Sequence, residues 1–102
     1  MKAIMPAIIL LGSVSPAYPD SKLASELAMI LASEELCGFE YSEEAIDQYI
    51  SENVDPSEIG FAAALFNFSR SAERRFAKID GSRKVAHCAA VANTARHYGF
   101  LK

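Results

Sequence analysis

Residues 55–78 read DPSEIGFAAALFNFSRSAERRFAK, and the fold turns on how this stretch is read. Asp55 is a suitable N-cap, Pro56 fits the first helical position, and Glu58 completes a capping-box spacing. From Ile59 to Phe68 only Asn67 is polar. A helix apolar on every side requires enclosure by other helices. Past Ser69 the character changes. The apolar positions narrow to Ala72, Phe76 and Ile79, while Arg70, Arg74 and Lys78 recur four apart with Arg75 beside them. The spacing therefore predicts one helix, to about Ile79, with a buried half and a basic half.

Upstream, Leu23, Leu27, Ile30 and Leu31 recur at helical spacing and predict a helix from an Asp20 or Ser21 cap to about Cys37. Gly38 stands where a left-handed residue ends a helix. Glu34 and Glu35 fall in the last turn, the unfavourable end of the dipole for acids, and call for cationic neighbours or free solvent. Ser42 caps a second helix, about 43–53, with Glu43 and Glu44 in its first turn. Tyr41 and Ile46 have the spacing of a hydrophobic staple, and Ile46, Tyr49, Ile50 and Val54 form its apolar stripe. Downstream, Asp80-Gly81-Ser82 is a turn. It leads into an alanine-rich helix marked by Val85, Cys88, Ala89, Val91, Ala92, Ala95 and Tyr98, whose small residues allow close approach to its neighbours and which Gly99 ends before an apolar Phe100-Leu101 tail. No strand alternation and no internal repeat occurs.

The chain has 102 residues, enough for one small domain, and is 51% hydrophobic and 23% charged, the composition of a globular protein. Its first 17 residues have the layout of a signal peptide. Lys2 precedes an apolar run from Ala3 to Leu11, and Ser15-Pro16-Ala17 gives a small-x-small cleavage pattern before Tyr18. That run is too short to span a bilayer, so no membrane span is expected in a mature chain of residues 18–102. The expected localisation is periplasmic or secreted. In an oxidising compartment Cys37 and Cys88 are expected to form a disulfide. The fold class predicted is an all-α, small four-helix domain with one disulfide.

Charge is segregated. Residues 18–58 hold eleven acids and one base, while residues 59–102 hold two acids and eight bases; the full chain carries −3. The simpler account is internal, with the acidic helices lying against the basic ones. The alternative is a docking surface for a protein partner or a second copy, with Arg70, Arg74, Arg75 and Lys78 as candidate partner-binding residues. A candidate apolar surface is Ile59, Phe61, Leu65, Phe66 and Phe68. The acidic balance and the lack of a nucleic-acid motif argue against nucleic acid. Neighbouring His87 and Cys88 diverge by about 100° on a helix, so they make no metal set, and no metal or cofactor is expected. No nucleophile motif or phosphate loop occurs, and no catalytic residue is assigned.

The segment Ile59-Gly60-Phe61-Ala62-Ala63-Ala64-Leu65 is similar to a helical segment of the HdeA-type acid-stress chaperones. The order of leader, Cys37, this segment and Cys88 also resembles theirs. The resemblance implies a small exported helical protein with one disulfide, dimeric, whose apolar surface opens in acid to hold unfolding clients. The separate helix expected near residues 43–53 and the unbroken basic segment at 70–78 depart from that pattern. The sequence thus leads to two functions: a non-enzymatic binding or chaperone-like protein, or an accessory subunit docking to an envelope partner through its charge asymmetry.

Overall fold

The computed structural model describes residues 19–102, so the expected leader at residues 1–17 lies outside the described residues. Four helices follow in order: α1 (Pro19–Cys37), α2 (Glu43–Asn53), α3 (Phe61–Phe76) and α4 (Gly81–His97). No strand occurs among the described residues. The all-α class and the single crosslink agree with the sequence expectation. Cys37 and Cys88 are bonded, with Cα atoms 5.6 Å apart, and join the end of α1 to the middle of α4.

Local chemistry sets most of the helix ends. At Gly38 (φ 72°) α1 stops in a Schellman motif: the Gly38 N–H donates to Glu35 O and the Phe39 N–H to Glu34 O. The same motif ends α4 at Gly99 (φ 84°), where the Gly99 N–H reaches Arg96 O and the Phe100 N–H reaches Ala95 O. Each motif turns a phenylalanine back over the helix it closes. Ser42 caps α2 by accepting from the Ala45 N–H at 3.1 Å. The Glu34 carboxylate, at the unfavourable end of α1, is satisfied by the Tyr41 N–H at 2.8 Å rather than by a cation.

The start of α3 differs from expectation. Asp55 Oδ1 accepts from both the N–H and the hydroxyl of Ser57, each at 2.9 Å, which makes an Asx turn instead of an N-cap. Residues 55–60 are consequently not helical, and α3 begins at Phe61 with Gly60 as its N-cap residue. These bonds, backbone first and then side chain, hold the Asp55 carboxyl below its ordinary range.

The core is one cluster containing Ala24, Leu27 and Ile30 of α1, Tyr41, Phe61, Val91, Ala95 and Phe100. α1 is its axis and packs along α3 and, over a shorter length, α4. The last turns of α1 and α3 lie side by side, with Ala32 and Leu36 near Phe76 and Ala77, so the two run in the same sense. α4 runs opposite to α1: Cys88 meets Cys37, His87 meets Ser33, and Tyr98 lies near Ser25 and Glu26. The stripe of α2 is only half-buried. It reaches the core through side chains, with Tyr49 set edge-on to Tyr98 (5.0 Å) and Phe100 (5.6 Å). A bond from the Ser42 N–H to Phe100 O (2.8 Å) ties the start of α2 to the C-terminal tail.

Enclosure of the apolar half of α3 is not realised. Only Phe61 and Ala72 of α3 are buried, because among the described helices α1 alone packs closely against it and covers one stripe. Val85 and Ala89, two of the residues that mark α4 in the sequence, are also exposed.

Candidate functional site: the outward face of α3

At 100° per residue, Ala63, Phe66, Arg70 and Arg74 share the side of α3 opposite Phe61 and Ala72. All four are exposed. Phe66 is 61% exposed and Ile59, in the turn before the helix, 91%. The Arg70 guanidinium lies 5.7 Å from the centre of the Phe66 ring, within cation–π range. Apolar surface at the start of the helix thus passes directly into cationic surface at its end. Ile59 also rims an open cleft of about 490 Å³ at the α2–α3 corner, with Ile50, Val54 and Phe61 as apolar walls.

The predicted site residues fall into three groups. Phe61 is buried and Leu65 half-buried, so both belong to the α1 contact; Phe68 is 37% exposed at the edge of that contact. Ile59 and Phe66 stand free with Arg70 and Arg74. Arg75 and Lys78 diverge from those two and line a separate cavity at the α3–α4 corner. The sequence reading missed Arg83 and Ile79 there. Arg83 belongs to the next helix, and only the Asp80-Gly81 turn hints that it folds back.

The internal pairing of acidic and basic halves is not found. Among the described residues no acid forms an ion pair with Arg70, Arg74, Arg75 or Lys78; the salt bridge present is Lys22–Glu26 at 3.4 Å, within α1. Along the α1–α3 seam Glu35 and Glu73 line one cleft that has no cation in its walls. The cations of α3 therefore face solvent.

The nearest approach to a nucleophile–base pair is Ser33 with His87, at 2.9 Å. Ser33 is fully buried and its hydroxyl donates to Met29 O at 2.8 Å. A hydroxyl has one hydrogen, so Nε2 of His87 must be the donor in this contact. A general base needs the opposite polarity. The pair instead seats His87, whose ring packs on Phe76 at 4.6 Å. Nothing in the sequence signals this contact across 54 residues. His87 also borders a groove of about 380 Å³ between α1 and α4, with Met29, Val91 and Tyr98. No three His, Cys, Asp or Glu side chains gather as a metal-ligand set among the described residues. No described helix is long and apolar enough to cross a membrane.

Compared with known proteins, the chain matches no family model, no curated protein and no solved structure.

Proposed function

We propose that this is an exported, non-enzymatic binding protein of chaperone-like type, which holds polypeptide segments on the outward face of α3. The observation that carries the reading is exposed Phe66 beside Arg70, on a helix face that Ile59 precedes and Arg74 continues, with neither arginine ion-paired among the described residues. Aromatic and arginine side chains are the groups that anchor protein contacts, and an exposed apolar patch edged by charge is typical of such surfaces. The suitable client offers apolar residues followed by acids. Export to the periplasm or beyond fits the disulfide, since oxidised pairs persist in oxidising compartments. The similarity of residues 59–65 to the HdeA-type segment favours the same class.

A second reading, an accessory subunit docked to an envelope protein, draws on a different observation. Acids crowd residues 18–58 and bases residues 59–102, yet among the described residues no acid forms an ion pair with Arg70, Arg74, Arg75, Lys78 or Arg83. Those cations are therefore available to a partner's acids, or to the acids of a second copy.

The test is suppression of aggregation, followed by light scattering as a globular client protein unfolds on heating. Wild type should suppress scattering. Phe66→Ser and the double variant Arg70→Glu/Arg74→Glu should each lose suppression while keeping the wild-type helical circular dichroism. Wild type without effect at molar excess, or variants as active as wild type, would refute the reading. A wild type that fails here but recovers one stoichiometric envelope protein would favour the subunit.

A further inference from the structure

The cations read from sequence as one stripe divide in the fold, and half of them turn into the α3–α4 corner. Arg75, Lys78 and Arg83 line an open cavity of about 400 Å³ there, and its other walls are Phe76 and Ile79. All three cations are exposed, and none is ion-paired with an acid among the described residues. Asp80 and Lys84 flank the corner in sequence and offset one another. Arg75 commits only Nη1, to the Ser71 hydroxyl at 3.2 Å, so most of its donor fork is unused. Three like charges around one cavity repel, and a bound anion removes that repulsion.

The floor of the cavity is held in place. Phe76 packs on His87, His87 is bonded to buried Ser33, and Cys88 beside it is tied to Cys37. The turn itself is closed by the Lys78 N–H to Arg75 O and the Ile79 N–H to Phe76 O bonds. Half-buried Phe76 and Ile79 thus present a fixed apolar surface in the same cavity as the cations.

We propose that this corner binds a phosphate monoester that carries an apolar group. The dianionic head engages Arg75, Lys78 and Arg83, and the apolar body rests on Phe76 and Ile79. A dianion suits the site better than a carboxylate, which would leave two cations unneutralised. Guanidinium forks also match phosphate oxygens in pairs. The site is independent of the outward face of α3, since Arg83, Phe76 and Ile79 take no part in that face.

The experiment is titration calorimetry of the intact, disulfide-bonded chain with phenyl phosphate at low ionic strength. Saturable binding is expected, with inorganic phosphate weaker by about tenfold or more because it forgoes the apolar floor. Arg75→Gln and Arg83→Gln should each weaken phenyl phosphate by about fivefold or more, through loss of a charge-assisted hydrogen bond. Their thermal melting should stay at the wild-type value, because both side chains are exposed. Phe66→Ser should bind phenyl phosphate as wild type does, so this proposal and the client reading fail separately. Co-sedimentation with phosphatidic acid vesicles but not phosphatidylcholine vesicles, beside phenyl phosphate binding, would identify the source as a lipid headgroup. Phenyl phosphate binding without vesicle binding would identify a soluble ester. Absence of saturable phenyl phosphate binding, undiminished binding by both arginine variants, or equal affinity for inorganic phosphate would overturn the proposal.

Discussion

Phe66 and Phe100 offer a paired test, because the same truncation acts on one exposed and one buried ring. Phe100 is 1% exposed, with ring centres 6.3 Å from Tyr41, 5.6 Å from Tyr49 and 5.7 Å from Tyr98. Its truncation to alanine empties space among three aromatic rings and should cost about 3–5 kcal/mol. Phe66 is 61% exposed. Truncation there removes roughly 80 Å² of covered apolar surface, or about 2 kcal/mol at about 25 cal/mol/Å². The compactness of unfolded chains and the better helix propensity of alanine reduce this to about 1 kcal/mol. In a domain of this size about 1 kcal/mol shifts Tm by about 4–8 °C. Phe100→Ala should thus melt at least about 12 °C below wild type and Phe66→Ala within about 8 °C of it. The chain has no Trp, so urea unfolding is best followed by circular dichroism at 222 nm. If Phe100→Ala is unfolded in buffer, Phe100→Leu supplies a milder measurement of the same site. Equal losses for Phe66→Ala and Phe100→Ala would refute the assignment, since the outward face of α3 would then be covered. A Phe100→Ala loss below about 1 kcal/mol would contradict its place in the core.

Two further outcomes follow from the crosslink and from Tyr41. Cys37 and Cys88 are 51 residues apart, so Cys37→Ala/Cys88→Ala should lower the unfolding free energy by about 4 kcal/mol in the chain-entropy model, as read from urea midpoints. Tyr41 donates its hydroxyl to Ile30 O at 2.8 Å, and burial, with a contribution from the Glu34 charge, pushes its pKa up to about 12 from 10.0. Above pH 10 the unfolded chain releases this proton while the folded chain keeps it. Stability is therefore fully present below pH 10 and falls as pH rises towards 12. Unfolding free energies measured across that window should decline more steeply for wild type than for Tyr41→Phe.

Features governed by nearest neighbours were legible in the sequence. Gly38, Gly99 and Ser42 end or start helices because backbone sterics and one hydrogen bond suffice to do so. The cysteine pair was legible because only one pairing exists. The start of α3 was not, since Asp55 can serve either an N-cap or an Asx turn, and Ser57 supplied two donors to the turn. Nor was the fate of residues 59–68. How much of an apolar helix is covered depends on how many helices surround it, and among the described helices only α1 lies close along α3. Charge segregation was plain in the composition, but its meaning was not. Whether Glu35 shares its cleft with an arginine or with Glu73 is set by the rotation of α3 against α1, which no local rule encodes.

The crosslink also divides the chain mechanically. A pull on the two ends loads α1 and the segment after Cys88, while the covalent ring between Cys37 and Cys88 carries no tension. That ring contains the whole of α2 and α3. It withholds 51 residues of extension, on the order of 170 Å of contour length, until the bond is reduced. The outward face of α3 and every wall of the corner cavity ride within it. Force borne by the termini can peel α1 from its neighbours, yet it cannot draw α3 itself out into an extended strand.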